Sequence, residues 1–189
     1  FKKYSMKNRL ELWNKNVIIP DLIYKFNLRN IHEVTYLENI VLKSTLNSSV
    51  AEPRDIVFAL VALELLSNQK AKVLRTRKSI AAFKTRKFIP ISSKVTIRNK
   101  NLYFYLDFFV SVVLPKIPQL REFGKTSVVK SCNSISLGVS NLTTFLQLNK
   151  ESEQLPKDMG MTVTLNSNEF NSKSKFLVLL SQYQIPVAS

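Results

Sequence analysis

Apolar and polar residues alternate along the segment KVTIR, in which Val95 and Ile97 separate Lys94, Thr96 and Arg98. Successive side chains of a β-strand point to opposite faces. The segment therefore predicts a strand with one apolar face and one cationic face.

A second strand is predicted upstream, where Val73 and Leu74 lie among basic residues. Pro90 is compatible with the start of the later strand, because a proline there removes no hydrogen bond from the interior of the ladder. Residues 78–87 lie between the two strands and contain small residues and one aromatic, Phe83. We therefore expect two antiparallel strands joined by a long basic loop.

Other segments show the spacing of further elements. Helical spacing of apolar residues predicts helices over Val17–Phe26, Pro53–Leu66, Asn101–Leu114 and Phe170–Tyr183. Strands are expected at Leu37–Leu42, Ser134–Val139 and Met161–Leu165, and loops at Lys43–Ala51 and Asn141–Lys157. Pro20 suits the first turn of its helix. The core face expected for the third helix consists of Leu102, Tyr105, Leu106, Phe109 and Val113.

The charge of the chain is concentrated in the predicted hairpin. The chain carries 28 basic and 13 acidic residues, for a formal net charge of +15. Residues 70–100 contribute eleven cations and no anion. Self-repulsion at this density lowers stability unless a polyanion offsets it, and nucleic acid is the first candidate. The alternative that needs no ligand is a solvated charged hairpin.

The remaining composition narrows the class of protein. One cysteine, Cys132, excludes an intrachain disulfide and a cysteine-cluster metal site, and His32 is the only histidine. Neither a catalytic constellation nor a cofactor motif is found, so we expect a protein that is not an enzyme and needs no cofactor. Only three glycines occur, whereas lysine and asparagine are abundant. This bias suggests an AT-rich genome such as that of an organelle.

The run RTRKSIAAFKTRKFIPISSKVTIRN, residues 75–99, resembles the universal large-subunit ribosomal protein L five family, which binds 5S ribosomal RNA. The residues that match in order and spacing are Lys78, Ser79, Ile80, Ala81, Phe83, Lys84, Pro90, Ile91, Lys94, Val95, Thr96 and Arg98. Further matches are Asn30, Ile31 and Val34, and also Gln69 and Lys70, which follow Asn68 in the sequence. At usual glycine positions the chain has Asn68, Ala82, Ser92 and Asn99.

The resemblance implies an α+β fold: an antiparallel sheet, helices packed on one face, and a long basic β-hairpin loop. A single domain is expected over residues 17–187, preceded by a basic arm or short helix over residues 1–16. The resemblance also implies which residues bind RNA. Those assigned to ribosomal RNA are Asn30, Gln69, Lys70, Lys72, Arg75, Arg77, Lys78, Ser79, Lys94, Thr96 and Arg98. Those assigned to a loop facing the P-site tRNA are Ala82, Phe83, Lys84, Arg86 and Lys87.

The expected function is that of a structural constituent of a mitochondrial large ribosomal subunit, in the central protuberance. Its expected partners are 5S and large-subunit ribosomal RNA, the P-site tRNA, neighbouring central-protuberance proteins and a small-subunit protein across the interface. A plastid ribosome is the alternative location. The alternative functions are a non-ribosomal RNA-binding protein, and a peripheral protein that holds anionic membrane through the hairpin with Phe83 and Phe88 as anchors. The apolar runs are too short to span a bilayer.

Overall fold

The computed structural model describes residues 8–45, 55–83, 85–117, 128–130, 133–140, 142–151, 159–168 and 173–185. In this part of the chain, five α-helices and six strands follow in order: α1 (Arg9–Trp13), α2 (Ile19–Phe26), β1 (Leu37–Thr45), α3 (Asp55–Ser67), β2 (Lys72–Arg75), β3 (Pro90–Arg98), α4 (Asn99–Phe108), β4 (Val128–Lys130), β5 (Ser134–Val139), β6 (Met161–Ser167) and α5 (Lys173–Gln182). The strands form a sheet in the order β2-β3-β1-β6-β5-β4. The expected α+β class with an antiparallel sheet is confirmed.

Contacts divide the chain into two compact units. The first unit comprises Phe1–Asn39, Arg98–Ile135 and Asn166–Ser189, and the second comprises Ile40–Ile97 and Ser136–Leu165. The expected division into an arm over residues 1–16 and a single domain over residues 17–187 stays a prediction.

Helices account for most of the described residues of the first unit. The side chain of Asn8 caps α1 by accepting a hydrogen bond from the Leu10 amide at 3.2 Å. A π-helical turn, Asn14–Ile18, connects α1 to α2, and Pro20 lies in the first turn of α2 as expected. Helix α1 packs on α4, and α2 packs on α5. Asn27 ends α2 in the left-handed conformation, with a φ of 48°.

Helix α4 supplies much of the core of the first unit. It continues through a π-helical turn, Phe109–Val113, and a 3₁₀ turn, Leu114–Lys116. The side chains expected on its apolar face, Leu102, Tyr105, Leu106, Phe109 and Val113, are all buried. The rings of Tyr105 and Phe109 stack with centroids 6.0 Å apart. The expectation that these aromatics form core is confirmed.

The second unit contains the helix α3 and the hairpin strands. The helix begins at Asp55 among the described residues, and the expected start at Pro53 lies outside them. Asn68 follows the helix in the left-handed conformation, with a φ of 51°. Asparagine tolerates this region better than most residues, which explains how it replaces the usual glycine.

Strand β1 is longer than predicted, and the expected loop at Lys43–Ala51 is wrong for its first three residues. Lys43 and Thr45 are exposed while Leu42 and Ser44 are buried, so the strand period continues to Thr45. Ser44 is polar and buried, and its hydroxyl is hydrogen-bonded because it donates to the Gly160 carbonyl at 2.8 Å. Residues 46–51 of that loop lie outside the described part.

The expected strands and helix near the carboxyl end are found with small changes in their bounds. Strand β5 has the predicted bounds, and β6 runs two residues further, to Ser167. Between them, short 3₁₀ turns at Leu142–Thr144 and Leu146–Glu151 lie in the described part of the expected irregular segment. Helix α5 ends at Gln182, one residue before the predicted end, and the predicted start at Phe170 lies outside the described residues.

Candidate nucleic-acid interface

Strands β2 and β3 pair in antiparallel fashion in the second unit, and the pairing places two lysines opposite each other. Lys72 is the cross-strand partner of Lys94, and Leu74 is the partner of Ser92. Like charges directly opposite in an antiparallel pair repel each other, at a cost of roughly 0.2–1 kcal/mol. An anion that binds both ammonium groups removes this repulsion.

Strand β3 has the two faces that its alternation predicts. Val95 and Ile97 are buried, whereas Lys94 and Thr96 are half-buried and Arg98 is exposed. The buried pair fixes the strand against the core, because a slip by one residue would expose both side chains. The cationic face is therefore held in one register.

The turn before β2 presents Gln69 and Lys70. The Ser67 hydroxyl donates to the Leu63 carbonyl at 2.7 Å and accepts from the Gln69 amide at 3.3 Å. The Glu64 carboxylate accepts from the Ala71 amide at 2.9 Å. These bonds connect the end of α3 to the start of the hairpin and leave Lys70 exposed.

Thr76 organises the base of the loop between the two strands. Its amide donates to the Ile89 carbonyl at 2.9 Å, and its carbonyl accepts from the Phe88 amide at 3.1 Å. Its hydroxyl donates to the Arg86 carbonyl at 2.5 Å and accepts from the Ile89 amide at 3.0 Å. Four hydrogen bonds of one residue thus close the loop, and the sequence analysis did not single out this residue.

The outer part of the loop is closed by a second, smaller bridge. The Ile80 amide donates to the Thr85 carbonyl at 3.1 Å, and the Thr85 amide donates to the Ile80 carbonyl at 3.2 Å. A 3₁₀ turn, Ala81–Phe83, lies inside this bridge. Lys84 lies outside the described residues, and of Phe83 only the backbone is described.

Phe88 is the exposed aromatic of the described loop. It has a φ of 69°, a left-handed conformation that is uncommon for a bulky residue, and it is 63% exposed. The Lys87 ammonium lies 4.9 Å from the centre of its ring, within the range of a cation–π contact. The loop therefore presents an aromatic face beside a cation.

The hairpin cations have no acidic partners among the described residues. No ion pair with a described carboxylate is formed by Lys70, Lys72, Arg75, Arg77, Lys78, Arg86, Lys87, Lys94 or Arg98. Most of these side chains are exposed; Lys94 is half-buried. The surface is a cluster of positive charge on a hydrogen-bonded frame, which suits a polyanion.

Two predicted RNA-binding residues belong to the first unit. The Asn30 amide donates to the Glu33 carboxylate at 3.2 Å, and Arg98 is the last residue of β3. The remaining described members of the predicted set lie together on the hairpin and its preceding turn, within the second unit.

Neither a metal centre nor a membrane-spanning helix is found in the described part of the chain. Within the described ranges, no group of three or more His, Cys, Asp or Glu side chains is placed to hold a metal ion. None of the helices described there combines the length and apolarity needed to cross a membrane.

Comparisons with known proteins identify the family to which the chain is similar. Residues 90–187 match the C-terminus of the ribosomal L five protein family. The large ribosomal subunit protein uL5m of Reclinomonas americana is 32% identical over 180 residues, which cover 95% of this chain and 98% of that protein. The uL5 protein of Mycoplasma capricolum is 30% identical, with 92% and 95% covered. The uL5c protein of Stigeoclonium helveticum is 30% identical, with 97% and 100% covered.

The matches to the three relatives extend over nearly the whole chain and so include the basic hairpin. The predicted family and the absence of enzymatic activity are confirmed, since members of this family are structural proteins. The chain belongs to the ribosomal L five protein family and is a structural protein of the large ribosomal subunit.

Proposed function

We propose that the chain binds 5S and large-subunit ribosomal RNA in the central protuberance through the hairpin 70–98. The observation that carries this proposal is the set of hairpin cations without described acidic partners, on a frame held by Thr76. Binding of phosphates to these cations releases counterions from the RNA, which makes the affinity steeply dependent on salt. The proposal concerns the RNA and its location, which go beyond family membership.

Recognition of the RNA depends mainly on shape. Contacts from lysine and arginine to phosphates position a protein, and A-form RNA hides its base edges in a deep groove. Lys72 and Lys94 lie opposite each other and suit adjacent phosphates. Thr96 and Ser79 add hydroxyls that can reach 2′-hydroxyl groups, and Asn30 and Gln69 add amides.

The outer loop is assigned to the P-site tRNA. Arg86 and Lys87 are exposed there, next to the exposed ring of Phe88. Ala82 is exposed in the 3₁₀ turn, where a close approach of RNA is not blocked by a long side chain. The hydrogen bonds at Thr76 and Thr85 support this assignment, because a loop that is already ordered loses less entropy on binding. Phe83 and Lys84 complete the set of residues that the resemblance assigns to this tRNA contact.

We place the protein in a mitochondrial ribosome, and a plastid ribosome is the second location. The support is the glycine-poor, lysine- and asparagine-rich composition, together with a mitochondrial relative, uL5m. The plastid relative uL5c supports the second location. Neighbouring central-protuberance proteins and a small-subunit protein across the interface complete the proposed partners.

The experiment is crosslinking of the native protein to RNA in purified ribosomes, followed by sequencing of the attached fragments. We expect residues 70–79 and 94–98 to crosslink to 5S or large-subunit RNA, and residues 82–87 to crosslink to P-site tRNA. Crosslinks to large-subunit RNA alone would remove 5S RNA from the proposal. A protein that sediments apart from ribosomes, or that binds anionic vesicles in a way that RNA does not compete, would overturn it.

A further inference from the structure

One side of helix α3, in the second unit, is apolar and exposed. Val57, Val61 and Leu65 are 55%, 41% and 38% exposed. They follow one another at intervals of four residues, which places them on adjacent turns along a line of about 12 Å. The 3₁₀ turn Leu146–Glu151 contacts α3 and adds Leu146, which is 49% exposed. We call Val57, Val61 and Leu65 the α3 stripe.

The opposite side of α3 already forms core. Ile56, Ala59, Leu63 and Leu66 are buried. A surface helix usually has one apolar side and one polar side, whereas a helix that is apolar all round is buried on both. Helix α3 thus has the composition of a helix with a second packing partner.

The charge around the stripe differs from that of the hairpin which follows it. From Asp55 to Gln69 the chain contains two acids and no lysine or arginine, although its net charge is +15. Glu64 is exposed and lies on the same side of the helix as Val57 and Val61. The Glu64 carboxylate thus lies at the edge of the stripe, where it repels phosphate.

We propose that the α3 stripe docks an apolar segment of a neighbouring large-subunit protein, rimmed by lysine or arginine that pairs with Glu64. The inference rests on the proposed function, because that function determines where in the ribosome the chain encounters this partner. Charge complementarity selects the occupant: RNA and an anionic membrane both bring negative charge to Glu64. A second copy of this chain, paired about a two-fold axis on the stripe, would bring one Glu64 towards the other.

The first test places a photo-crosslinking amino acid at Val57 of the full chain in assembled ribosomes, and a second, separate probe at Arg86. We expect the probe at position 57 to attach to a protein and the probe at position 86 to attach to RNA. If position 57 attaches to RNA, to a second copy of this chain or to nothing, while position 86 attaches to RNA, the docking proposal fails alone. If neither position attaches to a ribosomal component, the proposed function fails as well.

Matched variants then test the chemistry of the stripe. Val61→Glu should lower the yield of the protein crosslink from position 57 by about tenfold, because a carboxylate enters an apolar contact. Val17 is also 41% exposed but lies in the first unit, so Val17→Glu is the control and should leave the yield unchanged. Glu64→Gln keeps an acceptor for the Ala71 amide and should lower the yield by about threefold through loss of charge alone. Equal yields from the Val61→Glu and Val17→Glu proteins would overturn the proposal.

Discussion

Three cations of the first unit, Arg9, Lys15 and Lys25, are held differently from the cations of the hairpin. In the first unit, the Arg9 guanidinium donates to the Asp107 carboxylate at 2.6 and 2.9 Å. Lys15 pairs with Glu11 at 2.9 Å. The pKa of Arg9 is raised by its hydrogen bonds to Asp107, and the pKa of Lys15 is raised by its hydrogen bond to Glu11. On the hairpin, by contrast, Lys72 faces Lys94.

The difference follows from the periods of the two kinds of element. A helix places residues four positions apart side by side, so Glu11 pairs with Lys15 and Asp21 pairs with Lys25 one turn away. Arg9 instead reaches Asp107 because α1 packs on α4. An antiparallel pair of strands places residues of distant sequence opposite each other, and here both are basic. The charges of Arg9, Lys15 and Lys25 are therefore used within the fold, whereas those of the hairpin cations remain available to a ligand.

The largest expected effect comes from removing the opposed lysines. In Lys72→Gln/Lys94→Gln, affinity for ribosomal RNA should fall about 30-fold at moderate salt, because two charged contacts to phosphate are lost. The slope of log affinity against log salt should fall by about 2. Filter binding over a salt series measures both quantities. The free energy of unfolding should rise by a few tenths of a kcal/mol, because the repulsion between the two lysines is gone.

Paired lysines provide the control for that variant. Lys15→Gln/Lys25→Gln removes the same charge from helices in which Glu11 and Asp21 already pair with the two lysines. RNA affinity and the salt slope should stay close to those of the parent protein. Equal losses of RNA affinity in the two double variants would mean that only net charge matters. The lysines of the two regions would then not differ in RNA binding.

A smaller effect is expected from the frame that holds the hairpin loop. Thr76→Val keeps the shape of the side chain but leaves the Arg86 carbonyl and the Ile89 amide without their hydroxyl partner. The lost bond to the Ile89 amide is partly buried and costs about 1 kcal/mol, whereas the exposed bond to the Arg86 carbonyl costs less, so the loop should open more often. Hydrogen exchange of the Ile89 amide should accelerate, and RNA affinity should fall about fivefold, since binding must now order the loop.

Thr85 offers the matched comparison for Thr76. Its hydroxyl donates to the Ile80 carbonyl at 3.4 Å, a long bond, and the same carbonyl accepts from the Thr85 amide. Thr85→Val should therefore change the hydrogen exchange of the Ile89 amide and the affinity for RNA very little. A loop in which both valine variants behave alike would show that its order does not depend on Thr76.

Several features of the fold and the candidate site follow from local sequence patterns. The alternation at residues 94–98, the proline at the start of β3 and the apolar face of α4 each depend on spacing within one element. These features were predicted because neighbours in sequence determine them.

The site features that were not predicted depend on residues far apart in the sequence. Lys72 meets Lys94 in a ladder whose register shifts between Leu74 and Arg75, and no local period reveals such a shift. The hydroxyl of Thr76 bonds to groups ten and thirteen residues away. The exposed α3 stripe looks like ordinary core in the sequence, because periodicity shows how apolar a face is and not what covers it.

The smallest expected effect lies in the first unit and concerns stability without binding. Burial raises the pKa of the Tyr105 hydroxyl, which has no hydrogen-bond partner in the described part of the chain. In the unfolded chain tyrosine ionises near pH 10. The folded pKa is higher, so this group leaves the free energy of unfolding unchanged below pH 10 and lowers it as pH rises above 10.

Tyr105→Phe should remove this pH dependence. At pH 8 its free energy of unfolding should differ from that of the parent by less than about 1 kcal/mol, because no hydrogen bond is lost. At pH 10.5 the parent should have lost about 0.8 kcal/mol relative to the variant, since only the parent's unfolded Tyr105 ionises. Denaturant unfolding at both pH values measures the change. RNA affinity at pH 8 should be unchanged; a loss comparable to that of the lysine variant would mean that the first unit's core and the hairpin do not act separately.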